Sequence, residues 1–395
     1  MFTWPGAANE DLRVLDWLSS GIVPLTGSPG QPPRIPPGNA ATLARSLGTF
    51  VNKDIDGARL LSERAAFTGF TRNGAISVGG SCRILPTLDG WAAVSCARPD
   101  DPVLLGALIS SNLTGDPWPA VSTWLSENPG SELAERAALL GLAGAPIAPA
   151  QVPVPSPTTR RSVDGALVVD FSALWAGPLC AHLLGAAGAR VVKVETATRP
   201  DGARQGNIEF YSLLHAGHES VVLDPSTTAG RSAMAALVEC ADIVIEASRP
   251  RALAGFGLDA NAAVASGTTW ISITAAGRDS PRIGFGDDIA ASSGLIAHDG
   301  AGTPVFVGDA IADPLTGLLA AALAMSETPS GAGYLWDISM AGLIASTLPT
   351  HPATKIQGYD PRSVALPCKR ASTGTAPPSG ADTESVLRAL RIEVP

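Results

Sequence analysis

From residue 164 onward, short β-branched runs alternate with helix-length stretches, and this rhythm constrains the fold more than any other feature of the chain. GALVVDFS (165–172) reads as a buried strand, AGPLCAHLLGAAG (176–188) as a helix stopped by Gly188, and ARVVKVE (189–195) as the next strand. A strand and a helix start follow in SVVLDPST, a helix in AGRSAMAALVECA, and further strands in ADIVIEA and TTWISITA. Parallel neighbours need a crossover, and right-handed crossovers place helices on both faces. The expected fold is therefore α/β, a doubly wound Rossmann-like parallel sheet over 164–348.

In VGDAIADPLTGLLAAALAM (307–325), Asp313-Pro314 before a run of Leu and Ala predicts a helix with Asp313 as N-cap and Pro314 at its first position. YLWDISMAGLIAS supplies a late strand and helix. Residues 349–395 read as an irregular tail ending in a short helix capped by Asp382. In front of the sheet, residues 1–150 read as a smaller α+β domain. It has a Pro-Gly loop at 27–38, helices near 39–50 and 55–75, a hairpin signal at Asp89-Gly90, and three helices between 98 and 144. Residues 151–163 form a Pro- and Ser-rich linker. The small domain opens with a partial, degenerate repeat. Ser19-Ser20-Gly21 and Gly27 echo Ser292-Ser293-Gly294 and Gly300, and Thr42 falls opposite Asp313 when two extra loop residues are allowed. Thr can cap a helix as Asp can, but it cannot act as a carboxylate.

The totals exclude several classes. The net charge of −9, without a basic run longer than Arg160-Arg161, argues against nucleic acid. The longest apolar stretch, Leu315–Met325, is shorter than the roughly 18–20 residues of a membrane span. The opening MFTWPGAANEDLRVLDWL has no basic leader before an apolar core, so no secretory signal is expected. Five scattered cysteines without CxxC spacing argue against a zinc site and a disulfide framework. They suit a reducing cytoplasm, and no metal is expected.

Gly177 opens the first βαβ helix, where free N–H groups favour phosphate, although a plain tight turn explains it equally. Glu195 ends the second strand as a ribose-binding acid would, yet FSALWAGPLC has one glycine where a dinucleotide loop needs three. His182, and His215 and His218 in an expected loop, have no metal or nucleophile–base spacing and read as surface or satisfied histidines. No G-x-S-x-G elbow is present. Asp287-Asp288, in an expected Gly-rich loop, is either a solvated turn or a site wall. Arg199, Arg204, Arg249 and Arg251 follow the second and fourth strands and are either crevice cations or surface charge.

Taken in order, DFSALWAGPLCAHLLGAAGARVVKVE, SVVLDPSTTAGRSAMAALVECADIVIEASRPRALAGFGLD, ISITAAGRDSP, GDDIAASSGLIAHDG and VGDAIADPLTGLLAAALAM resemble the class III CoA-transferases, a group that includes 2-methylacyl-CoA racemases and carnitine CoA-transferases. The agreement runs from about 164 to 345. ISVGGSCRILPTLDGWAAVSC, PWPAVSTWL and ELAERAALLGLAGAPI resemble the family's small domain, which here precedes the large one, as if the chain were permuted or cut from a longer tandem protein. The resemblance implies an enzyme moving CoA between an acyl-CoA and a carboxylic acid, with CoA as substrate and no tightly bound cofactor. Asp313 matches the catalytic aspartate, which forms a mixed anhydride and then an aspartyl-CoA thioester. Gly79-Gly80 match a mobile glycine loop. Asp287 falls where transferases can carry an acid and racemases a catalytic His. Leu174, Ala176 and Leu223 match contacts to CoA.

The chain departs from the family at Thr196, His215-Ala216-Gly217-His218-Glu219 and Ala247, where cations and an Asn usually help hold CoA. Arg199, Arg204 or Arg249 would have to substitute. A homodimer is implied. The alternatives are a non-catalytic member that binds CoA weakly or pairs with another subunit, and a racemase.

Overall fold

The computed structural model describes residues 2–5, 10–149, 152–247, 250–329, 331–349 and 360–395. Its centre is a six-stranded, all-parallel sheet built from β4 (Leu167–Asp170), β5 (Arg190–Glu195), β6 (Glu219–Val222), β7 (Ile243–Glu246), β8 (Thr269–Thr274) and β11 (Tyr334–Ser339). The order β11-β8-β7-β4-β5-β6 reverses direction between β4 and β7. This is the doubly wound order expected from the strand–helix rhythm, and its switch point is where such sheets bind ligands. Val168, Val169, Val244 and Ile245 are buried on both faces, as central parallel strands require.

The helix Ala312–Ala324 lies across this sheet and is buried along almost its whole length. Burial of Leu315, Leu318, Leu319 and Leu323 is worth about 1.5–3 kcal/mol per side chain. Its close partner is the helix Ala176–Ala186 after β4. A Cβ on Gly317 would stand 2.6 Å from the Ala176 carbonyl oxygen, so a side chain there would push the helices apart. Gly177 has a similar task, because a Cβ would meet Ser172 Oγ at 2.1 Å.

The front of the chain has two parts. Helices Ala40–Val51, Gly57–Leu60 and Glu63–Thr68 join the core of the parallel sheet through Leu43, Leu47 and Leu61. The expected single helix near 55–75 is thus two short ones, broken at Leu61-Ser62. Residues 82–146 form a separate small core. In it β1 (Cys82–Thr87), β2 (Gly90–Ser95) and β3 (Gly144–Pro146) make an antiparallel sheet covered by helices Asp101–Leu108, Trp118–Glu127 and Gly130–Leu140. The β1–β2 hairpin is as expected, but its two-residue turn is Leu88-Asp89, with Gly90 already paired to Thr87.

Three strands escaped the sequence reading, β3, β9 (Ile296–His298) and β10 (Pro304–Phe306), each only three residues long. The expected linker is pinned to the large domain. Thr158 and Arg161 bond to Ser326, Glu327 and Ala324. Asp382 stands at the start of the terminal helix Thr383–Ala389 but does not cap it, and its carboxylate accepts the Ser220 N–H instead.

Candidate active site

Asp313 does not cap its helix. The turn after β10 brings Gly308 (φ +70) and Ala310 (φ +44) into left-handed conformations, and the helix begins at Ala312, two residues earlier than the Asp-Pro signal implies. Asp313 is the second helical residue and Pro314 the third. Pro is tolerated there because the first N–H groups of a helix lack intrahelical acceptors. The Asp313 side chain therefore makes no capping bond and projects from the first turn.

A second helix start faces it. Asp287 and Asp288 lie in the first turn of the helix Gly286–Ser292, not in a loop. Asp288 is structural: its Oδ1 accepts from the Phe285 N–H at 2.8 Å and from Ser95 Oγ of β2 at 2.9 Å. Asp287 Oδ1 accepts the Ala310 N–H at 2.8 Å, which ties the two helix starts together. A Cβ on Gly286 would stand 2.7 Å from Asp313 Oδ2 and 2.5 Å from the Ala310 oxygen, so this glycine leaves the room in which the Asp313 carboxyl lies. Asp287, Asp288 and Asp309 are buried, whereas Asp313 is half-buried and keeps part of its surface open.

The electrostatics follow from three neighbouring carboxyls around one cation. Arg64 donates through Nε (2.9 Å) and Nη2 (2.5 Å) to the two oxygens of Asp309, and its guanidinium lies 5.0 Å from the Trp175 ring centroid. Burial pushes the Asp313 carboxyl up to about 7. Arg64 opposes that rise, while Asp287, Asp288 and Asp309 add to it. Asp287 is raised as well, by burial first and then by Asp309. Asp288 rises to about 6, chiefly through burial, with Arg282 opposing. Asp313 is thus a carboxyl poised near neutrality, partly open, at the positive end of a long helix.

Leu174, at φ +70 and 43% exposed, marks the mouth of the crevice beyond β4, and its N–H is held by Asp201 Oδ1. Trp175 follows at the start of the Ala176–Ala186 helix and passes beneath Arg64. Exposed apolar chain at Leu174 thereby leads through Trp175 and Arg64 to the acids. Ala176 is buried in the first turn, and Leu223 packs in the core beside Val194 and Val221.

Among the arginines, Arg204 is spent on Glu195, with bonds of 2.5–3.1 Å, and lies over Tyr211. The same pairing occupies the acid that a ribose would need. Arg199 is exposed; its backbone N–H donates to Thr196 Oγ1, and among the described residues no acid pairs with its guanidinium. Arg249 lies outside the described residues, as does the side chain of Arg251. Gly79 and Gly80 are exposed just before β1. No side chain of the acid cluster stands within 4 Å of where their Cβ atoms would be.

Two expectations about polar residues need correction. His215 closes the helix Ile208–His215 and does not lie in a loop. His215 and His218 are buried, and both ring nitrogens of His215 and Nδ1 of His218 lack hydrogen-bond partners, so these are neither surface nor satisfied histidines. Burial holds His218 down at about 3 and His215 also well below the usual range, both as neutral rings. Sequence reasoning missed Arg64 altogether. The only signal was indirect, in that acids converging in a core need a cation. Among the described residues no cluster of His, Cys, Asp and Glu could hold a metal ion, and no helix is long and apolar enough to cross a membrane.

A doubly wound sheet with a poised aspartate at a helix start beside its ligand crevice defines a candidate acyl-transfer site. The family model for CoA-transferase family III matches residues 163–375, more than half of the chain, and the chain belongs to that family. Over 216 residues it is 29% identical to the succinyl-CoA–D-citramalate CoA-transferase of Chloroflexus aurantiacus and 28% identical to the succinate–glutarate CoA-transferase of Agrobacterium fabrum. Each match covers 49% of this chain and 54% of the relative. A CAIB/BAIF family protein from Brucella suis superposes with a TM-score of 0.43 at 26% identity, over 48% of this chain and 55% of the other. The chain thus spans about half the length of the curated relatives it matches.

Proposed function

We propose that the chain transfers CoA between an acyl-CoA and a carboxylic acid, with Asp313 as the nucleophile. The observation that carries this reading is the Asp313 carboxyl itself: uncapped, partly open, and titrating near neutrality at the start of a long helix. Ionised, its oxygen attacks the thioester carbonyl, and collapse of the tetrahedral adduct expels CoA thiolate and leaves an aspartyl–acyl anhydride. The thiolate attacks the aspartyl carbonyl of the anhydride, releasing the donor acid as carboxylate and leaving an aspartyl-CoA thioester. The acceptor carboxylate attacks that thioester, and the same two steps in reverse order deliver acyl-CoA and regenerate the Asp313 carboxylate. No electron or proton is gained or lost overall. Asp287, anchored through Oδ1 and raised above the usual range, serves as the neighbouring proton-holding group, so that Asp313 carries the charge.

CoA enters along Leu174 and Ala176, with Arg199 as the free cation for its phosphates. The Gly79-Gly80 loop covers the site when substrate is bound. The names of the relatives point to short dicarboxylic acids, so succinyl-CoA with citramalate or glutarate is the first pair to test. We further propose a homodimer in the cytoplasm.

A racemase would need acid and base on opposite sides of the substrate α-carbon, whereas Asp287 and Asp313 are next to one another across Gly286. The non-catalytic alternative draws on the loss of Arg204 to Glu195. Exchange of labelled carboxylic acid into acyl-CoA decides between these readings. Asp313→Asn lowers the exchange by about 10³-fold or more if Asp313 is the nucleophile. Equal rates in both proteins, or α-proton exchange in deuterated water without acid exchange, would overturn the transferase reading.

A further inference from the structure

We infer that Arg64 is a positioning residue for Asp313: it clamps the turn that presents this carboxyl and supplies the cation beside it. The inference rests on the reading of Asp313 as nucleophile. Arg64 belongs to the helix Glu63–Thr68, outside the 163–375 stretch that matches the family model, and reaches Asp309 across 245 positions of chain.

The geometry is that of a clamp. A planar guanidinium bonded through Nε and Nη2 to both oxygens of one carboxylate fixes distance and angle together. Asp309 has no exposed surface, and the Trp175 ring packs against the other partner, so neither can drift. The clamp acts on the residue beside it. Ala310 is held at φ +44, a conformation that costs about 1–3 kcal/mol for a residue with a Cβ. Its N–H goes to Asp287 Oδ1, and its carbonyl accepts the Asp313 N–H at 2.9 Å. Arg64 through Asp309 and Asp287 through the Ala310 amide therefore hold the same strained turn from two sides, and that turn sets where Asp313 points.

The charge balance gives Arg64 its second role. Asp313 faces Asp287 and, behind it, Asp288 from one helix, and Asp309 from its own turn. Arg64 is the cation that opposes them. Arg282 faces Asp288, and the buried Cys82 thiol of β1 is pushed up beside Asp287 and Asp288 and remains uncharged. Without Arg64 the acids would face one another with no cation next to Asp313, and the protonated, non-nucleophilic form would be favoured.

The test is a titration that needs no turnover. The full chain is labelled with 13C at the aspartate γ-carbons, Asp313→Asn assigns the resonance, and the midpoint is followed against pH. In the otherwise unmodified protein the Asp313 midpoint lies near 7. Arg64→Gln raises it by about one pH unit or more, as loss of an adjacent opposite charge does. Arg64→Lys, which keeps the charge and loses the fork, gives an intermediate midpoint. Asp309→Asn, which removes an acid and frees the fork, lowers it. Near-ultraviolet circular dichroism reports folding in each case. If Arg64→Gln does not fold, the displacements in Arg64→Lys and Asp309→Asn decide, and they must have opposite signs. A folded Arg64→Gln protein with an unmoved Asp313 midpoint overturns the inference, as do displacements of equal sign in the other two. A midpoint that moves as described in a protein without acid exchange leaves the Arg64 inference standing and removes the transferase reading.

Discussion

The helices Ala312–Ala324 and Ala40–Val51 pack on one another and follow similar Ser-Ser-Gly segments, at Ser292-Ser293-Gly294 and Ser19-Ser20-Gly21. Their first turns have diverged. Asp313 stands among Asp287, Asp309 and Arg64 and stays partly open. Thr42 is buried, its hydroxyl has no hydrogen-bond partner, and it does not cap its helix. The chain closes that start with its own backbone. The Asn39 N–H donates to the Thr347 carbonyl, and a Cβ on Gly38 would stand 2.3 Å from the same oxygen. A helix start therefore does not make a site by itself. The difference is a set of converging acids, an opening, and a cation that comes from the region following the other helix.

The largest effect that can sharpen this comparison is a transplant. Thr42→Asp puts a carboxylate into the closed, buried start and lowers stability by about 3–5 kcal/mol in urea titrations without creating a second reactive aspartate. Proton linkage comes next. The raised Asp313 and Asp287 carboxyls hold protons in the folded chain that the unfolded chain releases between about pH 4 and 7. Their contribution to stability therefore falls as pH rises through that window, against the opposite contribution of His215 and His218, whose buried neutral rings gain stability as pH rises there. The Asp313 share is read as the pH-dependent difference between Asp313→Asn and the unsubstituted chain in denaturation series. A stability difference between the two proteins that stays constant with pH across the same range would break the electrostatic account.

The glycines separate packing from chemistry. Gly286→Ala drives a methyl group onto the Ala310 oxygen and Asp313 Oδ2. It costs about 1–3 kcal/mol and lowers acid exchange per folded molecule, whereas Gly38→Ala costs stability and leaves that exchange unchanged. Smallest of all, Thr42→Val replaces an unpaired buried hydroxyl by a methyl group. It changes stability by less than about 1 kcal/mol and activity not at all, as calorimetry and the exchange assay would report.

Much of the fold was legible because its signals are local. β4, β5, β7 and β8 are β-branched runs of strand length, and Gly188 stops its helix with φ +98, as its position implied. The helix start at Asp313 was misplaced because the Asp-Pro rule is also local, whereas the left-handed turn at Ala310 is held by Asp287 and Asp309. Asp313 and Asp287 could be named from the ordered family-like segments, although neither segment reveals that their helix starts face one another. Arg64 was beyond reach. In SERAAF it is an ordinary helix residue, and only folding carries it to Asp309. The pairing of Arg204 with Glu195 is likewise invisible in sequence, since eight residues of turn and short helix intervene. His215 was misread because its helix is only eight residues long and follows an irregular stretch.

The central claim is that Asp313, and none of the acids around it, becomes covalently acylated. The chain is incubated with succinyl-CoA and hydroxylamine, digested, and its aspartates mapped by mass spectrometry. The account predicts a hydroxamate at Asp313 alone, absent from Asp313→Asn and not displaced to Asp287 or Asp309. Acid exchange that proceeds with Asp313 unmodified, or a hydroxamate on another residue that persists in Asp313→Asn, would contradict it.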